Sequence, residues 1–177
     1  MMKSRLPFQA MIAAAALAVC AGAMDARAQG AEPKLLGQYG VWGAYSAVSG
    51  GKKVCFALAK PASSKTNPPN RPRDPGYLFI STRPAEKVVN EISVNFGYPL
   101  KSDSAQLKVG NASFAMYTQS DTAWIKNAAE ESALLDALRR GADAVALGVS
   151  GRGTQTTDEY SLKGVSQALD RVAQECR

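Results

Sequence analysis

The sequence predicts a mainly β fold, an antiparallel sandwich or barrel, with one helix late in the chain and another at its C-terminal end. Two patterns carry this prediction. Short runs rich in β-branched and aromatic residues recur with turn residues between them, which favours a sandwich or barrel over alternating strand and helix units. Two other segments place their apolar residues on one face of a helix.

The predicted strands start with a hairpin in which Ser49-Gly50-Gly51 joins residues 39–48 to residues 52–60. Side chains of the second run alternate between a large and a small set, because successive residues of a strand point to opposite faces. The large set is Val54, Phe56 and Leu58, and the small set is Cys55, Ala57 and Ala59. We expect the large set to face the core and the small set to leave room for another element. Further strands are predicted at residues 77–83, 88–96, 106–109, 113–118, 122–125, 143–150 and 154–160.

The first predicted helix covers residues 127–140. Asn127 can cap its first turn together with Glu130, and acidic residues near this end suit the helix dipole. Gly141 follows the last turn, where a glycine commonly takes the left-handed conformation that closes a helix.

The second predicted helix covers residues 162–175 and carries the last cysteine on its buried face. Its apolar stripe is Leu162, Val165, Leu169, Val172 and Cys176. Gly164 would weaken the helix if it lay inside it. We expect this helix to pack over Ala57 and Ala59, which brings Cys176 close to Cys55.

Residues 1–28 have the pattern of a secretory signal peptide. Basic residues precede an apolar stretch over residues 10–19, and Ala26-Arg27-Ala28 offers the small side chains that a signal peptidase reads. Gln29 is then the first mature residue, and residues 21–23 are a second choice of cleavage site. Residues 29–177 are expected to form a single domain.

Two other interpretations of the N-terminal segment are weaker. A permanent membrane span needs about 18 or more apolar residues, which this segment lacks. Lipidation at Cys20 is disfavoured because the branched Val19 stands where a small residue is needed. Without Cys20, the chain keeps Cys55 and Cys176, and export to an oxidising compartment predicts a disulfide between them.

The chain contains no histidine, which excludes Ser-His-Asp and Cys-His catalysis and removes the commonest metal ligand. We therefore predict no metal and no cofactor. Adjacent carboxylates at Asp158-Glu159 and Glu130-Glu131 leave a glycan hydrolase as an alternative. The first pair lies on a strand whose neighbouring side chains face opposite ways, and the second is explained by a helix cap.

Residues 61–76 form a proline-rich segment that we expect to be an exposed loop, either mobile or used for recognition. Lys65, Arg71 and Arg73 are the candidate partner-binding residues in it. The net charge is +6, but the basic residues are scattered along the chain, so a nucleic-acid partner is not predicted.

Two further motifs favour structural interpretations. The stretch Gly148-Val149-Ser150-Gly151-Arg152-Gly153-Thr154 invites comparison with a phosphate-binding loop, but it lacks the Gly-Lys-Ser/Thr ending and no helix follows, so a strand-to-strand turn is the better account. Tyr39, Trp42 and Tyr45 alternate with small residues, and core packing is favoured over a ligand-stacking platform.

Four long segments carry a resemblance to a known family. They are CFALAKP (55–61), RDPGYLFISTRPAEKVVNEISVNFGYP (73–99), YTQSDTAWIKNAAEESALLDALRRG (117–141) and RGTQTTDEYSLKGVSQALDRVAQEC (152–176). Together they resemble the invasion associated locus B family of alphaproteobacteria. The resemblance implies an envelope or secreted protein with an immunoglobulin-like β-sandwich fold, and it supplies no catalytic residues. The family's namesake promotes invasion of red blood cells, a role that the resemblance extends to this chain only as an expectation.

The leading hypothesis is therefore a non-enzymatic protein of the periplasm or cell surface that binds a protein or envelope-polymer partner. The alternatives are a carboxylate-dependent hydrolase of envelope glycan and a chaperone-like periplasmic factor.

Overall fold

The computed structural model describes residues 32–177, so the predicted signal peptide and its cleavage site lie outside the described residues. The described chain forms eleven strands, two α-helices and two short 3-10 turns. The strands are β1 (Lys34–Tyr39), β2 (Trp42–Ser49), β3 (Lys52–Ala59), β4 (Ser63–Asn67), β5 (Tyr77–Arg83), β6 (Val88–Asn95), β7 (Ala105–Val109), β8 (Ala112–Gln119), β9 (Thr122–Ile125), β10 (Asp143–Val149) and β11 (Gln155–Ser161). The helices are α1 (Glu131–Arg140) and α2 (Val165–Glu175), and the 3-10 turns are Pro84–Glu86 and Ala128–Glu130.

Hydrogen bonds join these strands into one antiparallel sheet in the order β1-β2-β3-β5-β6-β9-β8-β7-β10-β11-β4. The two halves of the sheet share one core. The ring of Phe96, just after β6, lies so close to Gly148 of β10 that a Cβ there would be 2.7 Å from it. Trp42 of β2 donates its indole N–H to the carbonyl of Ser161 at the end of β11 (2.9 Å). The predicted fold class, mainly β and sandwich-like with two helices, is confirmed.

The C-terminal helix packs on β1, β2 and β3. Its apolar stripe is buried, and the small set of β3 (Cys55, Ala57 and Ala59) is buried beneath it. Small side chains on the sheet let a helix approach closely, and burial of the helix's apolar face contributes roughly 25 cal/mol per Å² of apolar surface. The predicted packing of this helix on the sheet is confirmed.

The predicted orientation of β3 is wrong for its large set. Val54, Phe56 and Leu58 are only half-buried, because the small set takes the core face and a strand has only two faces. On the outer face, Phe56 stacks on Tyr45 of β2 with ring centroids 5.3 Å apart. Such cross-strand aromatic pairs stabilise a sheet without reaching its core. Trp42 is fully buried as expected, so core packing holds for Trp42 and not for Tyr45.

Two boundaries near the ends of elements also differ from the predictions. The predicted strand 39–48 corresponds to β2, which begins later, because a turn in which Gly40 has a φ of +61° separates it from β1, a strand that was not predicted. The predicted helix 127–140 is a 3-10 turn, Ala128–Glu130, followed by α1 from Glu131. Asn127 caps that turn, because its side chain accepts the backbone N–H of Ala129 (3.1 Å). Gly141 is extended (φ −73°, ψ 160°) rather than left-handed, because the chain enters β10 only two residues later.

The second helix begins at Val165 rather than at residue 162, and Gly164 caps it. Gly164 has a φ of +100°, and a Cβ there would lie 1.9 Å from the carbonyl oxygen of Tyr39. Only glycine fits this backbone conformation and this contact. Gly164 is therefore the point where the chain turns against the end of β1, and it lies outside the helix that it was expected to weaken.

The far end of the helix is tied to β3. Cys55 and Cys176, 121 residues apart in the chain, form the predicted disulfide. Lys53 donates to both the carbonyl (2.7 Å) and the carboxylate (2.8 Å) of Glu175. These hydrogen bonds from Lys53, with those from Arg171, hold the pKa of the Glu175 carboxyl below its usual range. None of the helices in residues 32–177 has the length and apolar character needed to cross a membrane.

We predict that Gly164→Ala lowers the free energy of unfolding by more than about 1 kcal/mol, because alanine is strained at this φ and its Cβ collides with β1. Gly151→Ala is the matched control: its φ is not positive and a Cβ there meets open space, so a change within about 0.5 kcal/mol is expected. Urea denaturation of both variants measures the difference. Equal stability of the two would contradict this account of Gly164.

Removing the disulfide should destabilise the fold without changing its architecture. For Cys55→Ala/Cys176→Ala we expect a loss of about 2–5 kcal/mol, because the cross-link restricts the unfolded chain over a long loop. Thermal unfolding with and without a reductant measures this, and the reductant should affect the wild-type protein alone. Two free thiols in the protein purified from an oxidising compartment would refute the linkage.

Candidate binding pocket

Part of the proline-rich segment is a strand. Residues 63–67 form β4, which pairs with β11 at the edge of the sheet, so the prediction of a loop throughout 61–76 is wrong for these residues. The reason is local: Ser63–Asn67 contains no proline and can supply backbone N–H groups to a neighbour, while Pro61 and Pro68 lie just outside it.

The guanidinium of Arg73 turns inward from the end of this segment. It donates to the Phe96 carbonyl (2.7 Å), to the hydroxyl of Ser64 (2.9 Å) and to the carboxylate of Asp158. The Arg73 side chain is 11% exposed and that of Asp158 is fully buried. These contacts of Arg73 fasten the end of the proline-rich segment to β4, to the residue after β6 and to β11.

The three sequence-predicted contact residues therefore occupy different environments. Lys65 lies on β4 with a side chain 74% exposed, 3.9 Å from the carboxylate of Glu159. Arg71 is exposed after β4, and Arg73 is held inside. Their role in partner binding stays a prediction.

The adjacent carboxylates of β11 lie on opposite faces of the strand. Asp158 points into the core and is neutralised by Arg73, whereas Glu159 is outside, where its carboxylate accepts the hydroxyl of Ser63 (2.9 Å). Glu130 accepts the side-chain amide of Asn127 (3.2 Å) at the start of the helical segment. Asp158 and Glu159 therefore do not present two carboxylates to one substrate position, and Glu130 is engaged with Asn127 at the helix start.

A cavity of about 580 Å³ lies between the proline-rich segment, the residues after β6 and the turn between β10 and β11. This volume is within the usual range for small-molecule sites, about 300–1,000 Å³. We call it the arginine pocket. Its lining residues are Thr66, Pro68, Arg71, Pro72, Arg73, Tyr98, Pro99, Ser150, Gly151, Arg152, Gly153, Thr154 and Thr156. It brings together Arg71 and Arg73 but not Lys65.

The charged residues that line the arginine pocket are all basic. Three arginines line it and no acidic residue does. Within residues 32–177, neither Arg71 nor Arg152 has a carboxylate at ion-pair distance, so their guanidiniums are available at the rim. Arg73 alone is neutralised, from below, by Asp158.

The floor of the pocket carries two hydroxyls that lack hydrogen-bond partners among the described residues, those of Tyr98 and Thr156. Thr156 is 2% exposed. Burial raises the pKa of Tyr98, and the nearby Thr156 hydroxyl and the charge of Arg73 act in the opposite direction. The two hydroxyls are thus neighbours, but neither makes a well-formed hydrogen bond to the other or to any described residue.

The turn between β10 and β11 is a compact hydrogen-bonded unit. The hydroxyl of Ser150 accepts the backbone N–H groups of Arg152 (3.3 Å) and Thr154 (3.1 Å), and Gly153 donates to the Ser150 carbonyl (2.8 Å). Since β11 follows, the turn interpretation is confirmed over a phosphate-binding loop. Any anion in this pocket would be bound by side chains and not by the backbone of this turn.

Sequence reasoning did not identify Tyr98, Arg152 or Thr156 as site residues. One signal was present: the inward positions of β11, Thr156, Asp158 and Tyr160, are polar and buried, which is unusual for a strand facing a core. Tyr98 and Arg152 gave no local signal, because each enters the pocket from a different connection between strands.

The fold and the pocket together define a small β protein that has an internal disulfide and a basic cavity at one end of its sheet. The family model described as "Invasion associated locus B (IalB) protein" matches residues 42–173, from the start of β2 into α2. The chain belongs to this family, as the resemblance indicated. A search of curated proteins and a search of solved structures each gave no match.

We predict that Arg73→Met destabilises the protein by roughly 3–5 kcal/mol, because it leaves the Asp158 carboxylate buried without a counter-charge. The double variant Arg73→Met/Asp158→Leu should recover most of this loss, since both charges are then removed. Urea unfolding at pH 7 of the single, double and control variants tests the coupling. Arg71→Met, at an exposed position, is the control. An Arg73→Met protein as stable as the control would show that the pair does not fasten the segment.

Proposed function

We propose that the protein is an exported, non-enzymatic binding protein of the bacterial cell envelope, and that the arginine pocket with its rim is the contact for its partner. The observation that carries this proposal is the pocket itself: a cavity of about 580 Å³ with three arginines and no acid in its lining. Lys65, Arg71 and Arg152 supply exposed positive charge in and beside it. Arg73 acts beneath them as a structural residue.

Export is supported by the disulfide and by the pattern of residues 1–28. Disulfides persist in oxidising compartments and are rare in the cytosol. With removal of residues 1–28, the mature chain is a single domain, residues 29–177, in the periplasm or at the cell surface or secreted. The name of the family points to invasion, and we include a role in host-cell invasion or virulence in the proposal.

A binding role is favoured over catalysis by the chemistry of the described side chains. The chain has no histidine. The two adjacent carboxylate pairs are accounted for by the Arg73–Asp158 ion pair and by the helix cap, which removes the support for a glycan hydrolase acting through them.

The test is site-specific crosslinking in intact producing cells. A photo-reactive amino acid placed at Gly151 should trap one discrete partner, protein or envelope polymer, because this exposed position lines the pocket, a side chain there meets open space, and the arginines stay in place. The same amino acid at Lys108, exposed on β7 and outside the pocket lining, is the control and should trap much less. Cell fractionation should place the product outside the cytoplasm, with Gln29 at its N-terminus.

Three results would count against the proposal. Equal trapping from position 108 would remove the pocket as the contact. A broad ladder of unrelated unfolded clients would favour the chaperone-like alternative. Turnover of peptidoglycan fragments that is lost in Glu159→Gln would favour the hydrolase.

A further inference from the structure

The two unpartnered hydroxyls at the floor of the arginine pocket lie below two uncompensated guanidiniums. We propose that this pocket binds the phosphate group of a small organic phosphomonoester, with Arg71 and Arg152 contacting the phosphate oxygens from the rim and Thr156 and Tyr98 donating to them from the floor. This inference rests on the proposed function, because it takes the arginine pocket as the binding site and names the chemistry of its ligand.

The floor supplies the first reason. Buried hydroxyls in folded proteins nearly always have a hydrogen-bond partner, and leaving one without a partner costs about 1–3 kcal/mol. The hydroxyl of Thr156 belongs to a residue that is 2% exposed and lines the cavity. The inference places a ligand oxygen against Thr156 and Tyr98, whose buried hydroxyls have no hydrogen-bond partner among the described residues.

Charge supplies the second reason. Three guanidiniums line the pocket and one buried carboxylate, Asp158, compensates Arg73, so a charge of +2 remains on Arg71 and Arg152. A phosphomonoester carries about −1.5 to −2 at pH 7 and offers three acceptor oxygens. Arginine binds phosphate through paired N–H donors, which makes it well suited to this group. The ligand charge and the pocket charge therefore match.

The walls supply the third reason. Pro68, Pro72 and Pro99 give the cavity apolar surface beside its charged rim. A cavity of about 580 Å³ is much larger than one phosphate ion needs, and ligand sites of this size usually combine apolar walls with a few converging polar groups. We therefore assign the phosphate to an organic body that lies against the prolines.

The recognition differs from that of a phosphate-binding loop. The backbone N–H groups of Arg152, Gly153 and Thr154 are already bound to Ser150, so they are not free for a ligand. Binding must then depend on individual side chains, and single substitutions should remove it.

The experiment is a calorimetric titration of the purified, disulfide-bonded protein with glucose 6-phosphate, alongside glucose and citrate. Glucose 6-phosphate should bind, and Arg71→Ala and Arg152→Ala should each weaken binding about tenfold or more, as expected for loss of a charged hydrogen bond. Lys108→Ala, an exposed cation outside the pocket lining, should leave the affinity unchanged.

Thr156→Val separates a ligand role from a structural role. Valine keeps the shape of threonine but has no hydroxyl, so we expect weaker binding of glucose 6-phosphate together with an unchanged or higher melting temperature, because an unpartnered polar atom is removed from the interior. Tyr98→Phe should behave in the same way. A lower melting temperature with unchanged binding would overturn the proposal, since the hydroxyls would then serve the fold.

Vesicles of phosphatidylcholine with and without phosphatidic acid identify the source of the phosphate. Sedimentation with the phosphatidic acid vesicles, lost in Arg71→Ala/Arg152→Ala, would support a lipid headgroup, and binding of glucose 6-phosphate alone would support a soluble ligand. Equal binding of citrate, or no binding of either phosphate probe, would overturn the inference. The proposed function would survive that failure if crosslinking from position 151 still trapped a discrete partner, and it would fail separately if crosslinking did not.

Discussion

The packing of α2 on the small-residue face of β3, cross-linked there by the disulfide, is the constraint on which the rest of the fold depends. Cys55 lies among small residues on the core face of β3, and Cys176 follows the last turn of the helix that covers them. Burying this helix requires the small face to be inside, so the larger side chains of β3 must stand on the outer face and pack across strands. At the other end, Gly164 lets the helix start directly against β1. One buried interface therefore sets the orientation of the first three strands.

A second attachment, made by charge, holds the opposite end of the sheet. The Arg73–Asp158 pair closes the proline-rich segment over β11, and the arginine pocket lies directly beside it. Burial of an ion pair is costly unless its remaining donors and acceptors are satisfied. Arg73 donates to Ser64 and to the Phe96 carbonyl, whereas the second carboxylate oxygen of Asp158, Oδ2, has no hydrogen-bond partner among the described residues. Next to it, Tyr160 is fully buried, and burial with the charge of Asp158 raises its pKa. β11 thus supplies both the anchor of the segment and the floor of the pocket.

The amino-acid sequence predicted only some residues of the candidate site. The composition of residues 61–76 identified the segment and its basic residues, since prolines exclude a central strand and cations mark an exposed surface. It did not separate Arg73 from Arg71, because the partner of Arg73 is 85 residues away. The sequence did not indicate a role for Arg152 in the site either. No local feature of an arginine in a turn shows which neighbouring loop it will face.

The sequence by itself determined the fold class, most strand positions, both helices, the cysteine pairing and the family, because alternation, helical periodicity and residue type act over short stretches of chain. Only the tertiary structure decided which face of β3 is inside, that β4 lies at the far edge of the sheet beside β11, and that Arg71, Arg152, Tyr98 and Thr156 share one cavity. Those outcomes depend on contacts between segments that are far apart in the sequence. A local sequence pattern does not determine which distant segments will pack together.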